Sequence, residues 1–427
     1  MKKLRTITVE EHSYIAITAD AGIVETSSAA PDQPMISETD ASMLDNLGLR
    51  RPGFCQRVLG GVKLAQHCGI VRLNSCVLEV LPKVGFEEAN DATCMAHSRA
   101  ALLSMLHAAR SLRLTMLQAA PQAPVSAPLL DVFIEAFLRC ALERARHGLL
   151  SRYVPHSESL PVIKGRFDVH TQLHRNAATP HLLHCLYDEF TVDNPYNRAI
   201  LATISLCRSW LHREQTHRLW WETHSRYASV SHTIVTSKDV ARLAKDRTTH
   251  SYVSVLTWCE WLLAMLSPSV STGQLKAPGI LFDMNKLFES HVTLSERASA
   301  DEFRRIEPQG PMKALAVAGA TQLFYLRPDI TVWKTIGNGS DSYVERIVDA
   351  KWKRVRPETD DWGIAPSDMY QVLAYAIRYQ CRYVELAYPR PNTLAADACA
   401  PIFKIEIPGS QGTETVEVRV RLIPLLT

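Results

Sequence analysis

Two aspartates and a lysine, carried by Arg327-Pro328-Asp329 and Ile347-Val348-Asp349-Ala350-Lys351, are the residues of this chain best suited to chemistry. Nineteen residues separate the aspartates, and Gly337-Asn338-Gly339-Ser340 lies midway between them. A glycine-rich tetrapeptide between two β-prone runs, Leu323 to Thr335 and Tyr343 to Trp352, predicts a hairpin turn. Positions 329 and 349 each stand ten residues from Gly339. An antiparallel register centred there makes Asp329 and Asp349 cross-strand neighbours, with Cβ atoms roughly 4.5–5.5 Å apart. Carboxylates that close repel unless a proton or a cation lies between them. Lys351 is two residues beyond Asp349 and therefore shares its face of the strand. Two acids and a lysine on one sheet face suit a hydrolytic Mg²⁺ site, with Mn²⁺ as a substitute. The same residues also fit a salt-bridged exposed hairpin, because Pro-Asp is an ordinary turn element.

Two helices must bring the rest of such a site. One, predicted over Asp283 to Ala298, carries Met284, Leu287, Phe288 and Val292 on a single stripe. Glu289 lies at the edge of that stripe, about 60° from Val292 around the wheel, where it can add a metal contact or stay a solvated carboxylate. The other, predicted from about Ser367 to Gln380, is entered by Pro366 and capped by Ser367. It sets Gln371, Tyr375 and Arg378 on one face. That row can hold the lysine, touch DNA phosphates, or be a plain half-buried face. Lys353 lies two residues beyond Lys351. Strands over Arg382 to Tyr388, Pro401 to Ile407 and Val416 to Ile423 complete a mixed α/β layer with helices on the faces of one sheet.

At 427 residues the chain exceeds one ordinary core, and its 46% apolar and 21% charged content is that of a soluble globular protein. We expect an α+β multidomain protein: a β-rich N-terminal domain over residues 1–118, a mostly helical middle region over 129–268, and a mixed α/β domain over 275–427. Ala119 to Pro128 reads as a linker and Ser267 to Gly279 as a junction. Ser27 to Asp45 reads as a loop or insertion, and Ser159 to Leu173 as β-like. A net charge of +3 does not announce nucleic acid, so any basic surface must be local. The ten cysteines contain no C-x-x-C, which fits reduced thiols in a cytoplasmic protein. No signal peptide and no membrane-spanning run is expected. The chain has no G-x-x-x-x-G-K-[ST], so no nucleotide is expected to bind it, and nucleotide energy would need another polypeptide.

His170, His174, His181, His184 and Cys185 could hold zinc if they shared a helix, but the alternation of Phe167 to Leu173 argues for a strand. Trp210, Trp220, Trp221, Trp258 and Trp261 read as core packing.

Pro328-Asp329, Asp349-x-Lys351 and Gln371-x-x-x-Tyr375 resemble the core of the PD-(D/E)xK nuclease superfamily and the additional motif of its RecB-like branch. Further stretches are similar to the McrC family, the nuclease subunits of McrBC-type restriction systems. They include Val80-Leu81-Pro82-Lys83, Lys164-Gly165-Arg166-Phe167, the run Tyr187 to Arg198, Met284 to Glu289, Leu326 to Ile330 and Asp368 to Ala376. The resemblance implies a PD-(D/E)xK nuclease domain over residues 275–427 and a Mg²⁺-dependent endonuclease. This enzyme would cut double-stranded DNA together with a McrB-like AAA+ GTPase motor. Asp329, Asp349 and Glu289 would be metal ligands, Lys351 and Gln371 would serve the chemistry, and Tyr375, Arg378 and Lys353 would contact DNA. On this reading residues 1 to about 270 dock the motor, with Asp188, Asp193, Asn197 and Arg198 either touching it or forming a capped turn. A catalytically silent adaptor of an AAA+ partner and a stand-alone RecB-like repair nuclease are the alternatives.

Overall fold

The computed structural model describes residues 5–18, 34–84, 92–109, 128–179, 181–244, 246–266, 279–336, 341–391, 394, 399–409 and 412–426. The chain divides into two compact units, one built mainly from residues 5–115 and 275–427, the other mainly from residues 128–274. Residues 5–115, most of the N-terminal domain expected over 1–118, thus belong with 275–427, expected as a separate domain. The reason is strand pairing between them.

The N-terminal part of the larger unit runs through β1 (Arg5–Glu10), β2 (Tyr14–Thr18), β3 (Met35–Ser37), α1 (Glu38–Arg50), β4 (Cys55–Val58), β5 (Gly61–Leu64), β6 (His67–Arg72), β7 (Cys76–Leu81) and α2 (Ala92–Ala109). Strands β3, β2, β5 and β4 form one sheet, and β7 pairs with β1 and β6 in another. Residues 38–50, which overlap the expected loop, are helical. The serine and acids that read as loop residues are the helix start: Ser37 accepts from the Asp40 N–H, and Ala41, Met43 and Leu44 are buried behind it.

The smaller unit contains α3 (Leu129–Arg146), β8 (Arg152–Leu160), β9 (Arg166–Phe167), α4 (Val169–Arg175), β10 (Leu183–Thr191), α5 (Pro195–Cys207), α6 (Glu214–Arg226), α7 (Ser237–Ala241) and α8 (Val253–Leu266). Its three strands form an antiparallel sheet ordered β8-β10-β9. Trp210, Trp220 and Trp258 are buried, whereas Trp221 is exposed. The expected strand through Leu173 is corrected: Asp168 caps a helix by accepting from the Thr171 N–H, which puts His170 and His174 on one face with ring centroids 4.6 Å apart. Asp193 and Arg198 form an ion pair at 2.7 Å, and Asn197 Nδ2 donates to the Leu150 and Val192 carbonyls. Asn194 caps α5 by accepting from Tyr196 and Asn197 N–H groups. Asp193, Asn197 and Arg198 thus form a capped turn, whereas Asp188 lies exposed on β10.

The larger unit resumes with β11 (Gly279–Asp283), α9 (Met284–Ser299), β12 (Arg304–Pro308), β13 (Lys313–Ala318), β14 (Thr321–Leu326), β15 (Ile330–Ile336), β16 (Asp341–Ala350), α10 (Pro366–Tyr379), β17 (Tyr383–Pro389), β18 (Ile402–Gly409) and β19 (Gly412–Ile423). β11 pairs antiparallel with β6, from Gly279 opposite Val71 to Asp283 opposite His67, and so completes the N-terminal sheet. A six-stranded mixed sheet follows, ordered β12-β15-β16-β17-β19-β18, with β16, β17 and β19 parallel. Val372, Tyr375 and Ala376 of α10 pack with Ile347, Val384, Leu386 and Val418 of this sheet. Helix α10 begins at Pro366 with Ala365, not Ser367, in the cap position. Proline fits there because the first helical N–H has no partner to lose. The expected strand from Leu323 to Thr335 is two strands in different sheets, broken at Arg327-Pro328-Asp329. The Gly337–Ser340 turn and nearly all of both expected linkers lie outside the described residues.

Among the described residues no helix is long and apolar enough to cross a membrane.

Candidate active site

The β15–β16 ladder pairs Ile330 with Val348 at its far end. Continued one step, the same register sets Asp329, just before β15, opposite Asp349, as expected from the sequence. A bulge at Val332/Trp333 shifts the pairing by one residue, but only on the side nearer the turn. Asp329 lies in the break between β14 and β15. Its Oδ2 accepts from the Ala350 N–H at 2.9 Å, while its own carbonyl accepts from the Gln309 N–H at 2.6 Å. Asp349 is the penultimate residue of β16 and is 1% exposed.

Lys351 continues past β16, its N–H donating to the Ala387 carbonyl at 2.8 Å. Its Nζ is 2.6 Å from Asp349 Oδ2, so the two side chains share a face. That contact is a short ion pair at hydrogen-bond distance between a buried carboxylate and the ammonium. Lys351 Nζ also donates to Gln371 Oε1 at 2.8 Å. An ammonium only donates, so Gln371 must present its oxygen to Lys351 and its amide nitrogen to the other side. There Nε2 donates to the Tyr375 hydroxyl at 2.8 Å, which donates to the Arg327 carbonyl at 3.2 Å. The chain of hydrogen bonds thus runs from the lysine back to the loop that carries Asp329.

Glu289, on α9, accepts from Gln309 Nε2. Gln309 therefore joins Glu289 to the Asp329 backbone, and its carbonyl also accepts from Arg327 Nε at 3.3 Å.

Burial raises the pKa of Asp329, and the Asp349 and Glu289 carboxylates raise it further against the Ala350 N–H and Lys351. Asp349 is also raised, first by burial and then by Asp368, with Lys351 opposing. Glu289 is raised by burial, opposed by Gln309 and Arg327. Without a cation, this cluster favours protons on its carboxyls.

The remaining expectations divide. Lys353 pairs with Asp368 at 2.8 Å. The side chain of Arg378 is exposed, and among the described residues no hydrogen bond or ion pair ties it to the cluster; only its carbonyl is engaged, by Lys313 Nζ at 3.2 Å. Asp368 escapes the sequence reading, although it precedes Gln371 by three residues on the same helix face. It is 4% exposed and lies 4.0 Å from Lys351 Nζ. Gln309 and Glu11 carry no comparable signal. Glu11 Oε1 accepts from Trp352 Nε1 at 2.8 Å and from the Lys83 N–H at 3.0 Å.

Among the described residues no group of three or more His, Cys, Asp or Glu is gathered around one cation position. The donor set nevertheless fits Mg²⁺, which keeps several waters and needs only one or two protein carboxylates beside substrate phosphate oxygens. The Asp329 and Asp349 carboxyls, buried and each raised in pKa, are the groups such an ion would engage.

Similarity to known proteins agrees with these motifs. A chain of the Thermococcus gammatolerans half-complex, from a tetradecameric assembly of McrB AAA+ hexamers with bound McrC, has a similar fold. It matches at TM-score 0.64 and 14% identity over 98% of this chain and 94% of that one. A chain of the Thermococcus gammatolerans McrBC complex matches 68% of this chain and 86% of that one, at 16% identity and TM-score 0.44. No curated protein matches. The family model for the McrBC 5-methylcytosine restriction system component matches residues 62–389, more than three quarters of the sequence. The chain belongs to that family, as its McrC-like motifs indicate.

Proposed function

We propose that this chain is the DNA-cutting subunit of a McrBC-type restriction system, a Mg²⁺-dependent endonuclease with a PD-(D/E)xK domain that works with a McrB-like AAA+ GTPase motor. The observation that carries this reading is the buried Asp349 carboxylate, paired with Lys351 at 2.6 Å and set opposite Asp329 by the register of the β15–β16 ladder. Partnership with the motor rests on family membership and on what the Thermococcus gammatolerans assembly contains.

Asp349 and Asp329 would hold the cation, with Glu289 reaching it directly or through water. When bound, the ion supplies a Lewis acid for the scissile phosphate and lowers the pKa of a coordinated water. Lys351 places a fixed positive charge where negative charge develops on phosphorus, the setting in which a preorganised donor contributes most. Gln371 fixes the ammonium position, and Tyr375 fixes the amide of Gln371. The raised pKa values of the carboxyls mean that the cation would displace protons as it binds.

The test is cleavage of 5-methylcytosine-containing duplex DNA by the full chain with its motor, GTP and Mg²⁺. Asp349→Ala and Lys351→Ala should each lower the rate by about 10²–10³-fold or more while leaving motor binding intact. Normal cutting by either variant would falsify the assignment.

A further inference from the structure

A cavity of about 740 Å³ adjoins the segment that follows Lys351. Trp352 and Lys353, the two residues after Lys351, form part of its wall, together with Glu11, Lys83, Arg354 and Arg356. The wall therefore draws on both ends of the larger unit. Resting on the nuclease reading above, we propose that this cavity binds the sugar-phosphate backbone of the DNA strand next to the scissile phosphate, with Lys83, Arg354 and Arg356 as its phosphate contacts.

The charges carry the argument. Among the described residues, no carboxylate lies within ion-pair distance of Lys83, Arg354 or Arg356, and no hydrogen bond engages their side-chain nitrogens. Elsewhere in the same unit arginines are paired, as Arg346 and Arg421 are with Glu296 and Glu385, and Arg304 with Glu345. Three cations of this kind around one hollow suit a polyanion supplied from outside. Lys353 faces the same hollow but is tied to Asp368, which leaves it a secondary contributor.

The acids in the wall do little to oppose this. Glu11 is buried and satisfied at Oε1 by Trp352 and Lys83, and burial suppresses its charge. Glu358, the other carboxylate of the wall, is exposed and within ion-pair distance of none of the three cations. Nearby His12 has its pKa lowered by burial and by Lys63 and Lys83, so it adds little cationic charge of its own. A net charge of +3 for the whole chain requires any nucleic-acid surface to be local, and this hollow is such a place.

A backbone contact of this kind positions DNA without reading its sequence. It also shifts part of residues 1–118 from motor docking to substrate handling, because Lys83 belongs to that segment.

The experiment measures binding of a fluorescent DNA duplex by the full-length chain without divalent metal, so that nothing is cut, across a salt series. Lys83→Ala/Arg354→Ala/Arg356→Ala should weaken binding by about 10–100-fold. It should also reduce the slope of log affinity against log salt by roughly 2–3, at about 0.9 for each phosphate no longer neutralised. A control triple variant at the exposed Arg305, Arg382 and Arg419 should leave both quantities unchanged. All six side chains are exposed, and thermal unfolding checks that both proteins fold. Unchanged affinity and slope in the first variant would overturn the proposal. So would unaltered DNA binding combined with disappearance of binding to a free mononucleotide, which would make the cavity a small-ligand site. Neither result depends on cleavage, so failure here is distinct from failure of the nuclease reading, which Asp349→Ala decides.

Discussion

Glu11 and Trp352, 341 positions apart, are joined by a 2.8 Å hydrogen bond from the indole Nε1 to the carboxyl Oε1. Trp352 also packs on Phe288, ring centroids 5.4 Å apart, and these two aromatic residues directly neighbour Lys351 and Glu289 in sequence. A carboxyl from the first strand region therefore helps to fix the ground on which the candidate catalytic groups stand.

Burial pushes the Glu11 carboxyl up to about 7 from 4.5. An acid whose folded pKa is raised contributes stability that is present below about pH 4.5 and is lost as pH rises through about 7. The loss amounts to about 3 kcal/mol, at 1.36 kcal/mol per unit. Glu11→Gln should remove this dependence, so the melting temperature of the variant relative to wild type should climb between pH 5 and pH 8. A constant difference across that range would show that Glu11 is charged in the fold.

Asp329 and Asp349 are raised in the same direction, so the metal-free protein should lose stability as pH rises and these groups ionise against burial. A divalent cation must displace protons to bind, and its hold strengthens with pH. Mg²⁺ or Mn²⁺ should raise the melting temperature more at pH 8 than at pH 6. At a hundredfold excess over the dissociation constant the gain is about 2.7 kcal/mol. Chelation should reverse it, and Asp349→Asn should melt at the same temperature with and without metal.

Gln371 touches the lysine but not the expected position of the cation. Gln371→Ala should lower kcat on the order of 10–100-fold, the cost of loosening a reacting group by about an ångström, with KM nearly unchanged. Gln371→Glu keeps the acceptor for Lys351 and should recover part of the rate. An effect confined to KM would instead make this residue a DNA contact.

Gly69 has φ +139, and a Cβ there would lie 2.0 Å from the Ile280 carbonyl oxygen. Gly69→Ala should destabilise the larger unit by about 2–4 kcal/mol, through backbone strain and disruption of the β6–β11 pairing together. Denaturant unfolding measures it, and a midpoint unchanged from wild type would refute the close approach.

The Asp329–Asp349–Lys351 geometry is legible in the sequence because it depends on local rules: symmetry about a turn and a period of two along a strand. The Val332/Trp333 bulge leaves it intact since the register shifts only toward the turn. Helix α4 reads as a strand because alternation over seven residues is ambiguous, and one cap, Asp168, decides it. The strand expected through Pro328 fails because proline at that point ends one sheet's strand before the next begins. Gln309, Glu11 and the β6–β11 pairing are invisible for another reason. Each joins segments distant in the chain, and no periodicity records which distant segments meet.

The pairing of β6 with β11 has a consequence for the order in which the molecule is made. On the ribosome, His67–Arg72 emerges more than two hundred residues before its partner Gly279–Asp283. Domains tend to fold as they emerge, but this sheet cannot close until the smaller unit has been synthesised, and the aspartates and lysine come later still. A nascent or prematurely terminated chain therefore carries an open strand edge at β6 and no assembled carboxylate pair. The candidate site thus assembles only late in synthesis, at the expense of a long-exposed edge that invites aggregation when translation stalls.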